Sequence, residues 1–158
     1  MIQQIPSSMH IDRMELKLLP DMPEKPTYGF SNGNFSHLVL RFYRGIPVAV
    51  REYETSIANE TRTVLSLPSH PCFPVLVGVC CDTKPYLLVT IFYGILRKGV
   101  YMSVSGLLQG DTDWIDILQW TSILLDIAKG LFQMHSCGFV HGELKAENII
   151  LRKQKVGS

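Results

Sequence analysis

No stretch of this chain approaches the roughly 18–20 uncharged apolar residues needed to cross a bilayer, so no membrane span is expected. Nor is there an excess of one charge. Fifteen Lys and Arg face 14 Asp and Glu, for a formal net charge of +1. That balance gives no electrostatic case for nucleic acid or an acidic membrane surface. Residues 1–20 lack both a basic lead and a continuous apolar segment, so they are not read as a secretory signal. No C-x-x-C pair occurs among Cys72, Cys80, Cys81 and Cys137. Reduced thiols and a cytoplasmic location are therefore the expectation. Cys80 and Cys81 are neighbours, which on a strand point to opposite faces, so burial of one is expected ahead of metal binding. The spacing of His70 and Cys72 matches no structural zinc pattern. The sequons at Asn34 and Asn59 have no role in a cytoplasmic protein. Internal repeats and low-complexity tracts are also missing.

What is present is enough for a folded domain. The 158 residues are 46% apolar and 18% charged, a composition that excludes a disordered tail and can bury a substantial core. Residues 1–28 hold Pro6, Pro20, Pro23 and Pro26 and no sustained periodicity, so they read as an extended or disordered lead-in. His37–Tyr43 and Ile46–Tyr53 are β-rich runs joined by Arg44-Gly45, a hairpin-like pair. Thr55–Leu67 carries apolar residues at helical spacing and ends at Pro68. Val75–Cys80 and Tyr86–Phe92 form a second strand pair around the turn Asp82–Pro85. Gly94–Gly110 reads as irregular. The strongest helix is Trp114–His135, where Ile117, Trp120, Leu124, Ile127, Leu131 and Met134 make one apolar stripe. Asp113, with Asp116 three residues on, is the candidate N-terminal cap, and Gly138 lies just past the far end. Ile149–Leu151 closes the pattern as a short strand. The fold class is α+β.

Between that helix and that strand stands His141-Gly142-Glu143-Leu144-Lys145-Ala146-Glu147-Asn148. The octet resembles the H-R-D-L-x-x-x-N catalytic loop of eukaryotic protein kinases, with Gly142 at the Arg and Glu143 at the Asp that accepts the substrate hydroxyl proton. Val48-Ala49-Val50-Arg51 resembles V-A-I-K, Arg51 replacing the Lys that holds ATP phosphates. Glu60 is similar to the helix carboxylate that pairs with that Lys, although nine residues is a short step for the family. Ser31–Ser36 falls at the glycine-rich loop and keeps Gly33 and Phe35; glycines there let the backbone close over phosphates. His70-Pro71 and Val77–Cys80 resemble a stretch of tyrosine and tyrosine-kinase-like kinases. Thr90 matches the gatekeeper, with Phe92 and Tyr93 in the hinge.

The resemblance implies an amino-terminal lobe at 29–92, a hinge and linker at 93–112 and part of a helical second lobe at 113–158. It implies ATP and Mg²⁺ as cofactors. Adenine would lie against Val50 or Ala49 and the Thr90–Tyr93 hinge, and Gly33, Phe35, Arg51 and Glu60 would serve the phosphates. Glu143, Lys145 and Asn148 would be the catalytic set, with Asn148 also the metal ligand. The chain reaches Ser158 without an Asp-Phe-Gly, whose Asp is the family's principal metal ligand, and is read as truncated. Arg is a planar fork where a compact ammonium is expected. Glu143 extends its carboxylate by roughly an ångström, a displacement that can cost about a hundredfold in rate. Two readings follow. One is an ATP-dependent protein kinase domain, weak or inactive in this chain. The other is a non-catalytic pseudokinase fragment that engages a protein partner through the open face of helix 114–135.

Overall fold

The computed structural model describes residues 5–18, 38–95, 100–101, 103–109 and 115–152. Its centre is a hairpin of β2 (Leu38–Tyr43) and β3 (Ile46–Tyr53), which follows β1 (Leu16–Lys17) in the chain. The turn works because both central residues take positive φ, 49° at Arg44 and 80° at Gly45, the primed geometry that matches strand twist. Beyond it, helix α1 (Ala58–Ser66) leads to β4 (Leu76–Cys80) and β5 (Tyr86–Ile91). The five strands form one sheet in the order β1-β2-β3-β5-β4, and each neighbouring pair is antiparallel. Both faces are covered, so β3 buries three consecutive residues, Val48, Ala49 and Val50. Strand alternation divides them. Val48 and Val50 join Ile11, Val39, Cys80, Leu87 and Val89 in one cluster, whereas Ala49 packs with Leu40 and Phe92. Ile57, Val79 and Leu88 form a third cluster under the start of α1.

Residues 5–18 are a structured part of this lobe. Two 3₁₀ turns, Ser7–Met9 and Arg13–Glu15, flank Ile11, which is buried. The Ile11 N–H donates to the Val79 carbonyl at 3.0 Å, and His10 bridges Val79 in parallel. Further on, β1 pairs with β2 at Leu16↔Tyr43. The segment therefore runs from one outer strand, β4, to the opposite side of the sheet. Arg13 anchors it by donating to the carbonyls of Thr83 and Pro85. Glu15 takes a two-toothed bond from Arg44 at 2.7 and 3.0 Å, and that guanidinium holds the Glu15 carboxyl below its usual range.

Several sequence expectations need correcting after β5. The run from Gly94 to Gly110, read as irregular, holds an antiparallel pair, β6 (Gly94–Ile95) with β7 (Val100–Tyr101), and helix α2 (Val104–Leu108). The Ser103 hydroxyl starts α2 by accepting from the Gly106 N–H at 3.0 Å. The long helix α3 is Ile117–Ser136 rather than Trp114–His135, and its cap is Asp116. Asp116 accepts from the Gln119 N–H while the Gln119 side chain accepts from the Asp116 N–H. This reciprocal box needs an amide or carboxylate three residues on, and Gln119 supplies it. Gly138 past the end has φ +80°. In place of a strand at 149–151, Ile150 makes one bridge to Ser103 beside a Val104 N–H bond to the Ile149 carbonyl. Among the described residues no helix is long and apolar enough to cross a membrane.

Candidate functional site

Alternation on β3 places Ala49, Arg51 and Tyr53 along one face. Arg51 lies opposite Leu88 in register, and Ala49 opposite Thr90. The first turn of α1 brings Glu60 over the same face. Arg51 Nη1 and Glu60 Oε2 are 3.9 Å apart, with side chains 36% and 50% exposed. Arg51 and Glu60 thus stand at the outer limit of ion-pair distance, despite their short spacing in the chain. Between them stands a residue that sequence reading missed. The Tyr53 hydroxyl accepts from Arg51 Nη1 at 3.4 Å and donates to Glu60 Oε2. Burial first, then the bond to Glu60, pushes the Tyr53 phenol up to about 12. Alternation along β3 puts Tyr53 on the Arg51 face, two residues on, but no local pattern shows that Glu60 comes to lie over it.

The end of β5 carries the residues that the resemblance reads as a hinge. Thr90 and Ile91 finish β5, and Phe92 is buried against Ala49 and Leu40. The Phe92 N–H donates to the Pro47 carbonyl at 3.1 Å, so that donor is already engaged within the sheet. Tyr93 lies under the guanidinium of Arg152, 6.0 Å from its ring centre. Gly33 and Phe35 lie outside the described residues.

The loop after α3 brings Glu143, Lys145 and Asn148 together. His141 Nδ1 accepts from the Glu143 N–H at 3.3 Å. Gly142 between them has φ +75°, a left-handed conformation suited to glycine. Lys145 Nζ sits 3.6 Å from Glu143 Oε2, both exposed. Asn148 donates its side-chain amide to the Glu143 carbonyl at 2.9 Å, and Ala146–Asn148 forms a 3₁₀ turn that holds it there. With its NH₂ so engaged, Asn148 keeps its amide oxygen as a donor to a cation.

These donors can be set against the two cofactors. For a nucleotide, Arg51 supplies a partly exposed cation suited to phosphate, beside apolar Ala49 and Phe92, which are buried against each other. For Mg²⁺, which takes near-octahedral oxygen and one or two carboxylates, the set is poor. Among the described residues no three His, Cys, Asp or Glu come together as a metal site. Asn148 contributes one amide oxygen, and the nearby Glu143 carboxylate faces Lys145.

Comparison with known proteins bears on the same residues. A family model described as protein tyrosine and serine/threonine kinase matches residues 45–157. Ephrin type-A receptor 5 of Gallus gallus is 25% identical over 126 residues, covering 75% of this chain and 12% of the receptor. The Rattus norvegicus receptor of the same name is 25% identical over 120 residues, 72% of this chain and 11% of the receptor. Discoidin domain-containing receptor tyrosine kinase B of Caenorhabditis elegans is 34% identical over 98 residues, 62% of this chain and 11% of its own. The chain thus spans about an eighth of the relatives' length or less.

Proposed function

This chain belongs to the protein tyrosine and serine/threonine kinase family, and from that membership we propose that it is a nucleotide-binding kinase domain with weak or absent phosphoryl transfer. The observation that carries the reading is the Arg51–Glu60 pair across β3 and α1. It keeps a cation fixed on the cleft face although the family's Lys is gone. ATP supplies the transferable phosphate in this family. Here Ala49, Thr90, Phe92 and Tyr93 would border its base and Arg51 its phosphates. Glu143 would accept the hydroxyl proton, with Lys145 beside its carboxylate and Asn148 holding its backbone.

Two features argue for impaired transfer. Transition-state charge on a phosphoryl group is neutralised mainly by metal ions and cations, and the donors around Asn148 do not amount to a magnesium site. Glu143 also reaches further than the aspartate it replaces, moving the base by roughly an ångström. No step through Mg²⁺ is therefore assigned to these residues.

A second reading, non-catalytic protein contact, is favoured by α3. Ile117, Leu118, Leu124, Leu125 and Phe132 are all exposed on it, an apolar surface of the kind that marks interaction sites. In both readings the protein works in the cytoplasm.

Thermal melting with ATP separates them, because a ligand of the native state raises the melting point by mass action. A saturable rise with ATP is expected, with no further gain on adding Mg²⁺. No rise with ATP would leave the contact reading. Radiolabelled ATP with a generic protein substrate should give transfer no faster than the Asn148→Ala variant. Robust transfer by the unaltered chain would overturn the claim of impairment.

A further inference from the structure

We propose that Tyr53 is a positioning residue that couples Arg51 on β3 to Glu60 on α1 through its hydroxyl. At 3.9 Å the Arg51–Glu60 contact is an ion pair without a good hydrogen bond, and pairs this exposed contribute little by themselves. The Tyr53 oxygen lies within reach of both partners. It accepts from Arg51 and donates to Glu60, and a phenol can do both at once. The bond to the Glu60 carboxylate is charge-assisted and so stronger than a neutral one, whereas the one from Arg51, at 3.4 Å, is long and weak.

The ring is held independently of the hydroxyl. Tyr53 packs on the cluster of Ile57, Val79 and Leu88, where Ile57 ends the loop entering α1. One side of the phenol is therefore fixed by the core, and its polar end sets where Glu60, and with it the first turn of α1, can rest. Burial and the bond to Glu60 keep the phenol protonated, with its pKa at about 12, so its donor proton is present throughout the physiological range.

The proposal rests on the nucleotide-binding reading for its consequence, and two measurements keep the failures apart. Tyr53→Phe removes only the hydroxyl and keeps the packed ring. In the full 158-residue chain, amide exchange over 58–66 should quicken about tenfold, the loss of one charged hydrogen bond, while β3 and β5 keep their protection. Glu60→Gln should give a similar change, and the double variant should be no worse than either single one. The melting point should fall only by the few degrees that one lost hydrogen bond accounts for, well short of the fall in Tyr53→Ala, which also loses the packed ring. ATP affinity, read with a fluorescent ATP analogue, should fall in Tyr53→Phe and in Glu60→Gln, again without adding in the double variant. Unchanged exchange over 58–66 in Tyr53→Phe, or additive effects in the double variant, would overturn the proposal. If the unaltered chain binds no nucleotide, the functional reading fails and the exchange cycle alone decides the role of Tyr53.

Discussion

Gly142 shows how one residue can change meaning between sequence and structure. Read along the motif, it is the loss of an arginine. In the folded loop it is a backbone solution, since φ is +75° and an added Cβ would meet nothing within 4 Å. The cost of any L side chain there is consequently conformational rather than steric, about 1–2 kcal/mol for the left-handed region. Gly142→Ala should lose that much in urea unfolding, and Gly142→Asn should lose less because Asn tolerates αL. Restoring the family arginine by Gly142→Arg should cost as much as Ala. Equal stability of the Ala and glycine forms would mean that the loop relaxes to another turn. Arg51 was legible because a cation keeps the motif's place, and Glu60 because a helix carboxylate follows it, though nine residues on is short for the family. Tyr53 was not, because its role depends on where α1 comes to lie and no local pattern encodes that.

Among the elements, β2 and β3 could be read directly, since β-branched and aromatic residues alternate around a turn-forming Arg-Gly. The start of α3 was less clear. Asp113 and Asp116 both offer a capping oxygen, and only the reciprocal Gln119 bond chooses Asp116. The strap over 5–18 was illegible for a different reason. Its ties are long-range, Ile11 to Val79 and Arg13 to Thr83 and Pro85, and local periodicity carries no record of them. Gly78 is the counterpart of that strap on β4. A Cβ there would come 2.6 Å from Ile11 Cγ2 and 2.7 Å from the Met9 carbonyl oxygen. The second contact is with backbone, so side-chain rotation cannot relieve it. Gly78→Ala should lift residues 9–11 from β4 and destabilise the fold by about 1–3 kcal/mol. Hydrogen exchange is the discriminating measurement: the Ile11 amide should lose protection first, while Val50 and Val89 amides in the central strands keep theirs. Retained protection at Ile11 would show that β4, not the strap, gives way.

Over the whole molecule, burial is uneven, and this determines where its stability can be probed. Among the described residues the buried clusters belong to the sheet and the start of α1, whereas in α3 only Gly130 is buried, against Cys72 and Phe73. A titratable group inside the sheet therefore reports on global unfolding, and Cys80 is one. It is almost fully buried, and its thiol lies 3.3 Å from the Ile11 carbonyl, binding strap to sheet. Burial pushes its pKa from 9.0 to about 11, because a thiolate loses its hydration there. The unfolded chain thus gives up this proton at lower pH than the folded one. The contribution is complete below the unfolded value of 9.0 and is lost as pH rises through about 11. Linkage makes the loss on the order of 3 kcal/mol. Tyr53, raised from 10.0 to about 12, adds a loss of the same sign at still higher pH. Urea midpoints should accordingly fall steeply between about pH 9 and about pH 11. Cys80→Ala should be less stable at neutral pH, from the cavity it leaves, yet show a flatter decline across that interval. Parallel declines in the two proteins would assign the alkaline loss to groups other than Cys80.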